Sequence, residues 1–269
     1  SGILAGSVGW GDACMIVPYE MYKRYGDTRI LSENYEMMKK WYAFLEMRAK
    51  KSPMNPVKRL KRNPYRRYTI ETGIDYGEWC EPDVESTSAM RTPQGKVATA
   101  FFAHSGQMMA EIAAILGNEE DAAHYRKTAE LAKKAWRFIA TENGKIHSDR
   151  QADYVRALAF ELLEGEEAKQ AAANLNELVK KCDYHLNTGF LSTPNLTRVL
   201  CDYGYEDTAY KLLLQDTRPS WLYEVKKGAT TVWETWDGIN EKGEVKASLN
   251  HYSYGAICGW IVDSVCGIR

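Results

Sequence analysis

The chain has 269 residues, 45% of them apolar and 26% charged, with a formal net charge of −1. That balance excludes a disordered or fibrous chain and offers no electrostatic footprint for nucleic acid or an anionic membrane; no stretch approaches the roughly 20 apolar residues of a membrane span. Six cysteines (Cys14, Cys80, Cys182, Cys201, Cys258, Cys266) lack C-x-x-C spacing, and most fall in helical apolar patterns, so they read as buried free thiols rather than a metal site or disulfide framework.

No Gly/Ser-rich or Pro-rich tract divides the sequence, and residues 1–269 are expected to form one domain. Near the start, Gly9-Trp10-Gly11-Asp12 sets a flat ring and a carboxylate just before a helix expected at about 12–25, with Asp12 its N-cap candidate. Leu31, Tyr35, Met38, Tyr42 and Leu45 recur at steps of three and four and predict a second helix. A long connection follows at about 51–95. Its basic stretch, Lys58 to Arg67, reads as a solvated loop. Its segment Asp75-Tyr-Gly-Glu-Trp79 combines a ring with acids in a loop that a compact domain seldom keeps without use, although Asp75, Glu78, Glu81 and Asp83 fit a solvated surface equally well.

Val97, Phe101, His104, Met108, Ile112 and Ile115 predict the third helix, and amphipathic segments at about 119–140, 150–163, 166–181, 194–203, 205–215 and 249–265 bring the number to nine. The loop at 182–193 gathers His185, Thr188 and Gly189. The loop at 216–248 holds Gly228-Ala-Thr-Thr-Val-Trp-Glu-Thr-Trp-Asp-Gly238, where Glu234 lies between Trp233 and Trp236. Flanking indoles strip water from a carboxylate and make it a better base. The same residues also fit a turn-closing glutamate between core tryptophans. Asn250-His251-Tyr252 opens the last predicted helix, where an imidazole can donate to a sugar hydroxyl or serve the fold alone.

Four junctions repeat one device: Tyr25-Gly26-Asp27, Leu116-Gly117-Asn118, Glu164-Gly165-Glu166 and Tyr203-Gly204-Tyr205 each stop one helix and open the next. Recurring αα-hairpins leave an open solenoid or a closed α/α toroid. The glycines lie 91, 48 and 39 residues apart (117 − 26, 165 − 117, 204 − 165), with no fixed repeat, which favours the toroid. Its loops would gather at one end and line a central pit. Eight Trp and seventeen Tyr, several set among Gly and acids in those loops, suit a carbohydrate pocket where rings stack on sugar faces. No P-loop, dinucleotide fingerprint, G-x-S-x-G elbow or H-E-x-x-H site is present, and no cofactor or metal is expected.

Taken in order, Gly9-Trp-Gly-Asp-Ala-Cys-Met-Ile-Val-Pro18, Arg24-Tyr-Gly-Asp27, Pro219-Ser-Trp-Leu-Tyr223, the segment Gly228 to Gly238 and Asn250-His-Tyr252 resemble the catalytic domain of bacterial α-L-rhamnosidases, glycoside hydrolase family 78. The resemblance runs from about residue 5 to residue 265 and is most specific around Glu234. It implies an all-α (α/α)6 toroid and hydrolysis of terminal α-L-rhamnose, in glycosides or polysaccharides, with inversion. It also implies that Glu234 is the general base, that His251 contacts the sugar, and that Trp10 and Trp79 wall the rhamnose pocket. Asp12, Trp233 and Trp236 are further candidates for substrate binding. Inversion needs a protonated carboxyl roughly 6.5–9.5 Å from the base. In the family it belongs to an Asp-Glu-Arg-x-Gly-Trp segment, which this sequence lacks; the acid and the first barrel helices are expected upstream of residue 1, leaving the toroid incomplete. Glu78 departs from the family's usual aspartate. Two other readings remain: another α/α-barrel sugar enzyme, such as an epimerase working through His251 and His185, or a fragment that binds carbohydrate without turnover.

Overall fold

The structure is a computed structural model that describes residues 6–51, 63–82, 84–85 and 94–268. Asp83 and residues 58–62 of the basic stretch from Lys58 to Arg67 lie outside the described residues. Described residues within Ser1–Gly77, Met90–Asn143 and Phe160–Leu162 form one compact unit, and those within Glu78–Ala89, Gly144–Ala159 and Leu163–Arg269 form a second.

The first unit is built from α1 (Ala13–Tyr25), α2 (Arg29–Lys50), α3 (Gly95–Ile115) and α4 (Glu119–Ala140). In α2 the expected stripe Leu31, Tyr35, Met38, Tyr42 and Leu45 is buried, so the 3.6-residue period translates directly into one core-facing side. Helix α3 differs. It buries residues all round, from Val97 and Ala98 to Met109 and Ala113, while Ile115 at the end of the predicted stripe is exposed. A helix apolar on every side is a core helix, and α1, α2 and α4 pack against it. Gly106 permits this closeness: a Cβ there would lie 2.4 Å from the Tyr42 hydroxyl and 2.9 Å from Ala129 Cβ. His104 lies flat on Phe160, with centroids 4.1 Å apart and planes at 2°. Burial pulls its pKa down to about 4 and keeps the ring neutral.

The second unit holds α5 (Gln151–Ala159), α6 (Gly165–Lys181), α7 (Thr193–Asp202), α8 (Glu206–Leu213), α9 (Trp221–Lys226) and α10 (Ile257–Trp260). Helix α5 packs on α6 and α7, and α7 packs on α8 and α10. Two-residue strands, β1 (Thr141–Glu142) and β2 (Lys145–Ile146), occupy part of the predicted 141–149 loop.

Three of the predicted glycine stops hold. Gly26, Gly117 and Gly204 take positive φ, and Asn118 N–H reaches back to the Ala113 carbonyl at 2.8 Å, which closes the end of α3. Gly165 also takes positive φ but stops no helix: α5 ends at Ala159, and Gly165 is the first residue of α6. The helix predicted at 249–265 is broken into a 3-10 turn (Ser253–Ala256), α10 and a π turn (Ile261–Val265). Its apolar pattern does not distinguish one continuous helix from three short turns of different pitch. Helix α9 lies in a segment read as loop; Ser220 caps it, accepting from Tyr223 N–H at 3.1 Å. The cysteines are unpaired, but none is a core residue: Cys14, Cys80, Cys182 and Cys201 are half-buried, and Cys258 and Cys266 are exposed. Among the described residues, no helix is long and apolar enough to cross a membrane.

Candidate active site

In the first unit, Gly9 at φ 92° and Gly11 lead into α1. A Cβ at Gly11 would enter the Trp41 ring at 2.1 Å, so the glycine is needed for packing as well as for the turn. Asp12 sits at the N-cap position, yet its carboxylate caps no helical N–H. It is fully buried, accepts from Gly9 N–H at 2.7 Å and from the Ser105 hydroxyl, and burial raises its pKa. A carboxyl so enclosed shapes the loop from behind rather than meeting solvent. Trp10 is partly exposed, with its ring 5.1 Å from that of Tyr76.

Three acids that had fitted a solvated surface are buried. Asp75, in the first unit, receives both Arg48 Nη1 (2.8 Å) and Nη2 (2.9 Å), together with Val8 N–H at 2.8 Å. In the second unit, Glu81 pairs with Arg150 through two hydrogen bonds, and burial still raises its pKa. Glu78 is the most enclosed: its oxygens accept from Arg156 Nη1 (2.5 Å), Ser192 Oγ (2.9 Å), Ser192 N–H (2.7 Å) and Gly189 N–H (3.2 Å). Four donors on one carboxylate leave it little freedom to meet a substrate. They suit it to hold the chain that follows.

That chain is unusual. Trp79 (φ 52°) and Cys80 (φ 53°) are consecutive non-glycine residues in the left-handed region, an arrangement that persists only where the surroundings enforce it. Phe190 N–H donates to the Trp79 carbonyl at 3.0 Å, and the Tyr254 hydroxyl donates to the Cys80 carbonyl. Trp79 emerges partly exposed.

The chain around Glu234 runs antiparallel to 248–251. Glu234 N–H donates to the Ser248 carbonyl at 2.9 Å, and His251 N–H donates to the Val232 carbonyl at 2.8 Å. The Glu234 side chain is half-buried. Its Oε2 accepts from Ser248 N–H at 3.2 Å, and among the described residues it makes no ion pair. The tryptophans on either side serve the core instead of offering open faces. Trp233 is 1% exposed and lies against Gly238, while Trp236, 3% exposed, stacks on Tyr254 at 4.1 Å and meets the edge of Trp221 at 5.3 Å. Alternation along an extended segment accounts for Trp233, the immediate neighbour of the outward carboxylate, whereas Trp236 lies two residues on, in the turn that follows, and is buried by its packing on Tyr254 and Trp221.

His251 precedes the 3-10 turn rather than opening a long helix. Its Nδ1 accepts from Ser253 N–H at 3.3 Å, which places the proton of the neutral ring on Nε2; that atom makes no hydrogen bond among the described residues. The ring lies between Phe190 (5.0 Å, 23°) and Tyr252 (5.4 Å, 6°). His185, by contrast, uses both nitrogens, toward the Cys182 carbonyl and Thr217 Oγ1, each at 2.8 Å.

The sequence reading did not single out Glu224, Arg156, Ser192 or Phe190. Glu224 is buried on α9. One carboxyl oxygen accepts from Trp233 N–H at 3.2 Å, the other has no partner, and burial pushes its pKa up to about 7.

Comparison with known proteins identifies a family. The bacterial alpha-L-rhamnosidase 6 hairpin glycosidase domain matches residues 2–265. An alpha-L-rhamnosidase of Formosa agariphila is 38% identical over 97% of this chain and 27% of its own length, and one of Streptomyces avermitilis is 36% identical over 98% and 24%. Among solved structures, the Streptomyces avermitilis alpha-L-rhamnosidase complexed with L-rhamnose gives a TM-score of 0.82 at 35% identity, covering 97% of this chain and 24% of that one. The native alpha-L-rhamnosidase from Aspergillus terreus gives 0.80 at 29% identity, covering 95% and 29%. The chain therefore spans about a quarter of the length of the curated relatives it matches.

Proposed function

The chain belongs to the bacterial alpha-L-rhamnosidase six-hairpin glycosidase domain family, and from that premise we propose that it serves an inverting α-L-rhamnosidase in which Glu234 is the general base. The observation that carries the assignment is the half-buried Glu234 carboxylate, free of any ion pair among the described residues, on a segment hydrogen-bonded beside the one that bears His251. A carboxylate held by a single backbone N–H keeps lone pairs for water.

In the proposed reaction, Glu234 takes a proton from water as its oxygen attacks the anomeric carbon from the face opposite the leaving group. The glycosidic oxygen leaves with a proton from a second carboxyl, and the products are L-rhamnose of inverted configuration and the free aglycone. The second carboxyl lies outside the 269 residues. His251 donates from Nε2–H to a sugar hydroxyl, and the partly exposed Trp79 offers a ring to an apolar sugar face. Trp10 keeps its proposed part as a sugar-stacking ring. Asp12, Trp233 and Trp236 act from behind, by holding the backbone that presents these groups. The epimerase alternative needs a mobile proton on His185 as well as His251, and both nitrogens of His185 are already engaged.

The test is release of L-rhamnose from an aryl α-L-rhamnoside by the protein that carries this chain with its flanking sequence. Glu234→Gln is expected to lower kcat by about 10²- to 10⁴-fold. Full activity in that variant would remove Glu234 from the mechanism.

A further inference from the structure

Trp79 and His251 are both half-exposed groups of the second unit, and one dipeptide touches each of them. Phe190 N–H donates to the Trp79 carbonyl at 3.0 Å, and the Phe190 ring lies under the His251 imidazole, with centroids 5.0 Å apart and planes at 23°. The ring is itself held edge-on by Tyr254 at 5.1 Å, and the Tyr254 hydroxyl donates to the Cys80 carbonyl. On its other side the dipeptide is anchored to the Glu78 carboxylate through Gly189 N–H at 3.2 Å and, beyond it, Ser192 N–H at 2.7 Å.

The approach is as close as backbone allows. A Cβ on Gly189 would stand 2.0 Å from the Trp79 carbonyl oxygen and 2.5 Å from that of Glu78. Residue 189 is thus glycine because two carbonyls lie where a side chain would begin. The left-handed pair Trp79-Cys80 needs such external fixing, since nothing in its own backbone preference favours the conformation.

We propose that Phe190 is a positioning residue for sugar binding, setting Trp79 through its backbone N–H and the His251 imidazole through its ring, so that the two groups are held in one register. Phe190 does not act on the sugar. Its ring fixes the plane in which Nε2–H of His251 points, and its amide fixes the peptide that aims the Trp79 indole. The inference rests on the reading that the site binds L-rhamnose.

The experiment has a part that is independent of that reading. In the protein that carries this chain with its flanking sequence, Phe190 should shift the His251 ring protons upfield by its ring current; this displacement should vanish in Phe190→Leu and persist in Phe190→Tyr. Random-coil positions for His251 in the folded parent would overturn the proposal whether or not any variant folds. The second part measures L-rhamnose as a product inhibitor in the extended protein. Phe190→Leu should raise its inhibition constant about five- to tenfold, the cost of one misdirected hydrogen bond, with thermal stability and kcat changing less, while Phe190→Tyr restores the parent value. A folded Phe190→Leu variant with unchanged rhamnose affinity would overturn the role. A parent protein that neither binds nor releases L-rhamnose would overturn the functional reading instead, and the ring-current result would still judge the contact.

Discussion

Glu224 shows how much a single buried group can do without announcing itself. It follows directly on Pro219-Ser-Trp-Leu-Tyr223 with no partner at a telling interval, and only the packing of α9 reveals that its carboxyl is enclosed with one oxygen unpaired. Its folded pKa of about 7 lies above the ordinary value of 4.5, so the folded state binds the extra proton. Stability is therefore highest below the lower value and falls as pH rises from about 4.5 to about 7, after which it levels. Glu224→Gln keeps an acceptor for Trp233 N–H and removes the titration. Denaturant unfolding between pH 4 and 8 should show a flatter profile for this variant and a gain of roughly 2–3 kcal/mol above pH 7. An unchanged slope would mean that Glu224 titrates as it would in water.

At the scale of elements, the site of the second unit is made of loops pinned by buried polar groups, and Gly189 is where pinning is tightest. In Gly189→Ala the new methyl group meets two backbone carbonyls, neither of which can rotate away as a side chain would. The variant is expected to lose at least about 1–3 kcal/mol of stability in denaturant unfolding. If it is as stable as the parent, the 182–193 loop is not held against Trp79 as described. Helix α3 carries the complementary lesson for the first unit. Its predicted stripe from Val97 to Ile112 is real, but the small residues between those positions, Ala98, Ala103 and Gly106 among them, are equally buried because neighbouring helices close around it. Alanine and glycine are ambiguous in sequence, since they suit a solvated face and a crowded one alike.

For the molecule as a whole, the chain covers about a quarter of the length of its curated relatives, and the acid partner of the proposed base is expected in residues beyond these 269. Hydrolysis of an aryl α-L-rhamnoside by the 269-residue chain alone is therefore expected to be slower than by the extended protein by about 10²-fold or more, because protonation of the leaving oxygen is lost. Equal turnover by the two would place the acid within this sequence and exclude the proposed pairing.

The sequence by itself determined the long helices and the family. Apolar residues at steps of three and four mark α2 and α4 whatever surrounds them, glycines with positive φ end α1, α3 and α7, and the segment Gly228 to Gly238 is specific enough to name its relatives. Only the tertiary structure decided which of the marked residues face outward. Trp233 and Trp236 read as substrate-binding candidates or as core and are core, Glu78 and Glu81 read equally as surface and are buried, and Phe190 carried no mark at all. The reason is physical: periodicity is a property of neighbours along the chain, whereas the burial of a loop residue depends on contacts from distant segments. Glu78, for instance, is held by Arg156, Gly189 and Ser192, at sequence separations of 78, 111 and 114 residues that no local pattern encodes.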